Sequence, residues 1–402
     1  MKKKLENAYN PDKQARKEKI LLGLSGGVDS FVTAYLLKIQ KYDLIAVTIS
    51  NSWDEVTLDQ AKYLSCYLNP GRLEKIKDFC QKMNIPLQVV KSSAEFRENV
   101  IEPWMAEKAL GKNSNPCWNC HELRMNLLYE KMKESGATKI ATGHYAKLFH
   151  HEAHNTVFVH TSNDEVHDQS GLLSRLSHDV LKSLVLPLSD LTRKEVLKLA
   201  ENFGVVSENP VISMHSCLPL TPELSAILEK NIPPKFLKGG EITNLDGSMN
   251  LGQHEGIHTH NFGENVEFRD EGKAVNGIFA GYSYADRRII VVNPEFVMRS
   301  KISLIKCQFS EDVSWPEPIK GFAVLSQSKV VECWVHPKVM SAVYLEFTEK
   351  HKFLPDEIIT VLKKKGKNSK VLLTGQVRLL PLDSEDSSEE ENIPEVNPVL
   401  DF

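Results

Sequence analysis

Two cysteines stand three residues apart in the stretch NPCWNCH, at Cys117 and Cys120, behind an Asn115-Pro116 turn. Thiols at that spacing can begin a structural zinc knuckle, a redox dithiol or a sulfur-transfer site, so spacing alone leaves three chemistries open. Upstream, GLSGGVDS from Gly23 to Ser30 has the make-up of an anion site. Gly26 and Gly27 let the backbone approach a ligand closely. The N–H groups of the loop and of the helix after it face that ligand, and the Ser25 and Ser30 hydroxyls add polar partners. The Lys-Ser/Thr ending of a Walker loop is missing, so γ-phosphate transfer is not implied. His254, His258 and His260 alternate through a glycine-rich stretch and read as solvated imidazoles rather than a metal set, and Cys66, Cys80, Cys307 and Cys333 as small buried or surface residues.

The elements that must position these groups follow a repeating order. ILLGL, SGGVDS and FVTAYLLKIQ read as strand, glycine turn and helix, and YDLIAVTIS as a second buried strand. KIKDFCQKMNI before PLQVVKS repeats helix then strand, as does LLYEKMKESGATKIATGH, with a helix stop at Gly136. This alternation predicts an α/β fold, a doubly wound parallel sheet with right-handed crossovers, over residues 20–208. LTRKEVLKLAENFGV predicts a helix opened by a Thr192–Glu195 capping box and ended by Gly204. Prolines and glycines punctuate residues 209–273, read as a small central domain. Over 274–382 the short runs RRIIVVNP, KISLIKCQF, AVYLEF and KVLLTGQVRLL predict a C-terminal β-barrel or sandwich. Residues 1–19 read as a basic leader and 383–402 as an acidic, disordered tail.

The totals set outer limits. A chain of 402 residues holds two or three domains, and 41% apolar with 25% charged residues is ordinary for a soluble protein. A net charge of −4 does not advertise nucleic-acid binding, but the run DSEDSSEEE can mask a basic face elsewhere. No apolar run approaches the roughly 20 residues of a membrane span, and the N-terminus lacks a secretion signal, so the expectation is a cytoplasmic protein without a membrane partner. Seven cysteines, an odd number in a long chain, do not make a disulfide scaffold.

The Gly23–Ser30 loop resembles the PP-loop of the ATP pyrophosphatases, which adenylate a carbonyl oxygen and release pyrophosphate. That likeness implies ATP, and Mg2+ held with help from Asp29. Further stretches resemble the tRNA-specific 2-thiouridylase (MnmA) family in the family's order. NSWDE from Asn51 resembles its K-N-W-D-E segment, NPCWNCH stands at N-P-D-x-x-C-N, and ATGHYAK from Ala141 matches ATGHYA. HDQSGLLSRLS from His167 resembles K-D-Q-S-Y-x-L-x-x-L, ISMHSC stands at D-S-x-G-I-C, and LGQHEGIHTHNFGEN resembles the glycine- and histidine-bearing motif ending in T-x-G-Q-R. The likeness covers residues 20–270, and beyond them rests on domain order, a small central domain and a C-terminal barrel.

The resemblance implies roles residue by residue. Gly23, Leu24, Ser25, Gly26, Gly27, Val28, Asp29, Ser30, Ser50 and Gly143 would hold ATP. Asn115 and Pro116 would approach the target base, and His167, Asp168 and Gln169 would touch tRNA. Cys120 occupies the position of the family's persulfide-bearing nucleophile and Cys217 that of its disulfide-forming partner, so a sulfur donor, a cysteine desulfurase relay or free sulfide, is a further partner. The product would be 2-thiouridine at the wobble position.

Several positions depart from the family's pattern. Its Asp is Cys117 here, which makes three thiols: Cys117, Cys120 and Cys217. Three thiolates can hold a [4Fe–4S] cluster with one iron open, as in cluster-dependent tRNA thiolases of the same superfamily. A persulfide relay and a zinc site completed by His121 or His215 are the other readings. His167 replaces Lys, Ser50 replaces Met, Ile212 replaces Asp, and Gly263-Glu264-Asn265 replaces Gly-Gln-Arg. His144 reads as a partner of backbone or substrate, and KKKGKNSK (363–370) as a hairpin turn with charges for solvent or for RNA phosphates. Rival functions are a PP-loop ligase or amidotransferase acting on a small metabolite and a non-catalytic tRNA-binding paralogue.

Overall fold

The computed structural model describes residues 18–51, 68–112, 115–151, 155–205, 229–234, 237–244, 246–270, 273–283, 286–310, 315–325, 329–337 and 342–378. The expectations for the leader, the NSWDE stretch beyond Asn51, Cys66, the ISMHSC stretch with Cys217 and His215, and the acidic tail fall outside those residues.

Five strands form one parallel sheet: β1 (Lys19–Gly23), β2 (Asp43–Ser50), β3 (Leu87–Lys91), β4 (Lys139–Ala141) and, much later in the chain, β7 (Leu184–Val185), in the spatial order β3-β2-β1-β4-β7. Alternation along β1 feeds both faces. Leu21 packs with Val47, Ile49 and Ile140 on one side, while Ile20 and Leu22 pack with Leu44 and Ala46 on the other. Helix α1 (Val28–Ile39) and helix α2 (Pro70–Met83) cover the second face through Phe31, Leu37, Ile76 and Cys80. Asn69 caps α2 by accepting from the Arg72 N–H at 2.7 Å, with Pro70 preset for the first turn. The strand order reverses between β1 and β4, and at such a switch point the crevice beyond the carboxyl ends of the strands is the usual ligand site.

A helical run follows β3 without a break: α3 (Ser93–Phe96), a π-helical stretch Arg97–Ile101, and α4 (Glu102–Ala109). Helix α5 (Cys117–Ser135) lies on the first face of the sheet through Met125, Leu128 and Met132, and ends at Gly136 in the left-handed region at φ 68°. A two-stranded ribbon, β5 (Lys147–His151) and β6 (Thr156–His160), leads to α6 (Ser170–Leu173), α7 (His178–Ser183) and α8 (Arg193–Asn202). The expected capping box is present on α8: Thr192 accepts from the Glu195 N–H, and Glu195 accepts from the Thr192 N–H at 2.9 Å.

A second sheet has the order β10-β11-β12-β8-β9, built from β8 (Gly240–Thr243), β9 (Asn250–His254), β10 (Asn265–Asp270), β11 (Lys273–Ser283) and β12 (Arg288–Val292). Here one expectation is corrected. RRIIVVNP, read as a barrel strand, is β12, and it pairs with β11 and β8 because Ile289 and Val291 bury against Ile242, Ile257 and Phe279. The barrel starts at β13 (Met298–Phe309) and closes through β14 (Ile319–Val324), β15 (Val330–Val335), β16 (Val343–Lys352), β17 (Ile358–Leu362) and β18 (Val371–Arg378) in the order β13-β16-β15-β14-β17-β18. It rests on the first domain, where the Ser174 and Thr374 hydroxyls hydrogen-bond at 2.8 Å.

Candidate active site: thiols and a phosphate loop on one sheet edge

The phosphate loop leaves β1 with Gly26 at φ 79°, and Gly27 caps α1 without a side-chain hydrogen bond. Ser25 Oγ accepts from the Gly27 N–H at 3.3 Å and the Ser30 hydroxyl donates to Gly27 O at 2.8 Å, which draws the loop into a nest at the helix N-terminus. Asp29, on the first turn, is held from two sides: Oδ1 accepts from the Tyr145 hydroxyl at 2.7 Å and Oδ2 from Arg193 Nη1 at 2.8 Å. Burial, with Asp29 beside it, pushes the Tyr145 phenol well above its usual range, so it stays a donor. Gly143 packs directly on this turn, since a Cβ there would lie 2.9 Å from the Asp29 carbonyl carbon. Leu24 donates its N–H to Val47 O at 2.8 Å, and Ser50 ends β2, its carbonyl accepting from the Ser92 N–H at 3.2 Å. The residues expected to hold ATP therefore stand at the carboxyl ends of β1, β2 and β4 or in the turns just after them.

Cys117 and Cys120 occupy the first turn of α5, which the sequence had left as a motif behind a turn. Asn115 Oδ1 accepts from the Cys117 N–H at 3.0 Å, and the Cys120 N–H reaches Pro116 O at 2.9 Å. One turn apart, the two side chains share a helix face at the dipole's positive end, where thiolates are favoured. Cys120 is buried and Cys117 partly so, and both pack with Phe96, Ile101, Trp104 and Ile232. By contrast, burial pushes the thiols of Cys80 and Cys333 up to about 11 and about 12, in keeping with inert core residues.

Two side-chain bridges tie this turn to the sheet edge, and neither was assigned from the sequence. Asn51, directly after β2, donates from Nδ2 to Cys120 Sγ at 3.5 Å, while its Oδ1 accepts from the buried Ser92 hydroxyl at 2.7 Å. Ser92 thereby fixes which way the amide points. His121 Nε2 meets His144 Nε2 at 3.1 Å, one donating and one accepting, and His144 Nδ1 lies 2.8 Å from the Thr142 hydroxyl. His144 thus partners side chains rather than backbone. Burial lowers its imidazole to about 4 and, with His144, Arg124 and Arg175 nearby, drives His121 well below the usual histidine range, so both rings are neutral at pH 7.

The HDQS loop is locked as well. Asp164 Oδ2 accepts from the Arg193 N–H at 2.7 Å and Oδ1 from the His167 N–H at 3.0 Å. Burial alone would raise the Asp164 carboxyl, but these hydrogen bonds outweigh it and hold it below the usual range. Asp168 accepts from the Ser162 N–H and from both the N–H and the hydroxyl of Ser170, and burial nonetheless keeps its carboxyl raised. Gln169 Oε1 accepts from the Tyr145 N–H at 3.0 Å. The side chains of Asp168 and Gln169 therefore shape the loop.

Among the described residues no three His, Cys, Asp or Glu side chains converge as a metal set. His254 instead hydrogen-bonds Arg287 O through Nε2 at 2.9 Å, and His121 is engaged by His144. Two cluster ligands fit in spacing, in that Cys117 and Cys120 stand one turn apart on α5; Cys217 lies outside the described residues.

The family model for the tRNA methyl transferase HUP domain matches residues 18–218, half of the chain. The tRNA-specific 2-thiouridylase MnmA of Clostridium botulinum is 30% identical over 249 residues, covering 62% of this chain and 67% of that protein. The chain belongs to the MnmA family of PP-loop proteins. MnmA 2 of Fusobacterium nucleatum is 26% identical over 343 residues, 83% of this chain and 93% of its own length, so the likeness extends into the barrel. Among solved structures, the U34-tRNA thiolase NcsA from Methanococcus maripaludis, with its [4Fe-4S] cluster, is 22% identical over 58% of this chain and 73% of its own, at a TM-score of 0.36.

Proposed function

We propose that this MnmA-family chain is an ATP-dependent tRNA thiolase that replaces O2 of a uridine, the wobble base, with sulfur. One observation carries it: the thiol helix is bonded to the same sheet edge that carries the phosphate loop. Cys120 meets Asn51 after β2, His121 meets His144 after β4, and Gly143 packs on Asp29. The family relatives named as tRNA-specific 2-thiouridylases supply the substrate and the reaction.

In this reading the N–H groups of Gly23–Ser30 and the N-terminus of α1 hold the ATP phosphates, with Leu24, Ser50 and Gly143 along the nucleotide and Mg2+ as counter-ion. Arg193 and Tyr145 keep Asp29 in place. Uridine O2 attacks the α-phosphorus, an O–P bond forms, and pyrophosphate leaves. This step is needed because C2=O is a poor electrophile, whereas the adenylated oxygen departs as AMP when sulfur bonds C2. A single-stranded anticodon loop lets the base splay out cheaply towards Asn115 and Pro116, with His167, Asp168 and Gln169 shaping the tRNA-facing loop.

Cys117, Cys120 and Cys217 would be the protein ligands of a [4Fe–4S] cluster, which supplies an iron with an open position for sulfide. The pairing of Cys117 and Cys120 on one helical turn supports shared ligation, because a relay between Cys120 and Cys217 makes no use of the thiol at 117. Transfer RNA and a sulfur donor are the partners, and no helix among the described residues is long and apolar enough to cross a membrane.

Mass spectrometry of tRNA nucleosides from a deletion strain tests the function: a 2-thiouridine derivative disappears, and an unchanged profile overturns the reading. Protein purified without oxygen tests the ligands: iron and a broad visible absorption are expected, both lost in Cys117→Ala, Cys120→Ala and Cys217→Ala. A colourless, iron-free, active protein would instead assign sulfur to a Cys120 persulfide with Cys217 as its disulfide partner.

A further inference from the structure

The β5–β6 ribbon rises from the phosphate site. At its base Gln169 and Tyr145 exchange hydrogen bonds, and the Tyr145 hydroxyl donates to Asp29. Its register pairs Lys147 with His160, Leu148 with Val159, Phe149 with Phe158 and His151 with Thr156. Because side chains alternate, Leu148, Val157 and Val159 turn into the main core. The opposite face carries Lys147, Phe149, His151, Phe158 and His160. Phe149 is 48% exposed and tilts on the His160 ring at 4.2 Å between centroids.

The β17–β18 turn of the barrel, Leu362 to Val371, is docked on this face. The Thr161 N–H donates to Ser369 O and Thr161 O accepts from the Asn368 N–H; the Thr161 hydroxyl donates to Gly366 O at 3.0 Å, and the Ser369 N–H donates to that hydroxyl at 2.8 Å. The Lys370 ammonium sits 3.4 Å over the Phe158 ring. Lys370, Lys364 and Lys147 all act to lower the His160 imidazole, beneath the larger effect of burial, which places their charges around one spot. Nearby acids offset this in part: Asp190 pairs with Lys147 at 2.6 Å, Asp164 is taken by Arg193 and His167, and Glu165 stands beside Gly366. Lys363, Lys364, Lys365 and Lys367 remain exposed on the turn.

We propose that this face, built jointly by the ribbon and the barrel turn, is an RNA platform: an unpaired base stacks on Phe149 beside His160, and the turn's lysines take the flanking phosphates. Exposed aromatics interleaved with cations are the surface that binds single-stranded RNA, stacking on π-faces and neutralising backbone charge. The platform deepens the proposed function and rests on it, because it names where the tRNA lies. It also gives the barrel a task, to fix the lysine turn at a set height over the thiol and nucleotide edge.

Binding of a tRNA transcript to the full chain, measured by filter retention across a salt series, tests this. Phe149→Ala is expected to weaken binding about 10-fold with the salt slope unchanged, and Phe149→Trp to restore it. Lys364→Ala, Lys365→Ala and Lys367→Ala together should lower the salt slope by about 2, because each phosphate contact on a single strand contributes about 0.7 to it. Wild-type affinity and slope in both variants would overturn the platform and leave the thiolase reading standing. A wild-type chain that binds no tRNA would overturn both. Unchanged ATP binding and melting temperature in the variants exclude misfolding as the cause.

Discussion

Cys120 carries an amide hydrogen aimed at its sulfur, and the Ser92 hydroxyl prevents that amide from turning round. A donor to sulfur favours the thiolate, the form needed both as metal ligand and as nucleophile. Asn51→Asp keeps the shape and replaces the donor with an acceptor. Thiolation is expected to fall on the order of 10-fold or more while ATP affinity is kept, and a variant thiolating at the wild-type rate would remove Asn51 from the account. The His121–His144 pair gives a second residue-level expectation. With the folded pKa of His144 lowered to about 4, the unfolded chain binds more protons than the folded one between pH 6.5 and 4. Stability therefore falls as pH drops through that window and levels off below it. Thermal melts across pH should show this, and His144→Asn should flatten the profile.

At the level of elements, close approach matters most where β4 meets α1. A Cβ at Gly143 would press on the Asp29 backbone, so Gly143→Ala should weaken ATP binding about 10-fold, measured by calorimetry, and also lower the melting temperature as the turn is displaced. Thr192→Ala removes the capping box of α8 and should cost about 1 kcal/mol in denaturant unfolding. It should also loosen Arg193, the first residue of α8, from Asp29. These elements differ in how legible they were. Short continuous apolar runs marked the parallel strands, and Thr192, Glu195 and Gly136 marked helix ends, because those signals are local. The strand order was not readable, since pairing β1 with both β2 and β4 is decided by packing far apart in sequence. The same cause misplaced RRIIVVNP, whose short apolar run suits a barrel and an open sheet equally. The phosphate loop announced itself through its glycines, whereas Ser92 and Arg193 gave no signal and Asn51 only a place in a motif, since each acts on a partner that only the tertiary fold brings near.

Across the whole molecule, three parts converge on one edge of the parallel sheet. The phosphate loop leaves β1, the thiol helix is tied to the ends of β2 and β4, and the barrel docks its lysine turn on the ribbon that follows β4. Helix α4 adds a link to the second sheet through Lys108, whose ammonium donates to Asn261, and burial lowers that ammonium from its usual range. Ile232, from beyond α8, packs in the cluster of Cys117 and Cys120. The most direct test is reconstitution: chain purified without oxygen, a tRNA transcript, Mg2+-ATP and sulfide, with the nucleosides read by mass spectrometry. The account predicts 2-thiouridine at the wobble position, one AMP and one pyrophosphate per sulfur inserted, and none of these products coupled to sulfur in Cys120→Ala. An intact wild-type chain that binds ATP and tRNA yet inserts no sulfur, or a Cys120→Ala chain that inserts it at full rate, would contradict it.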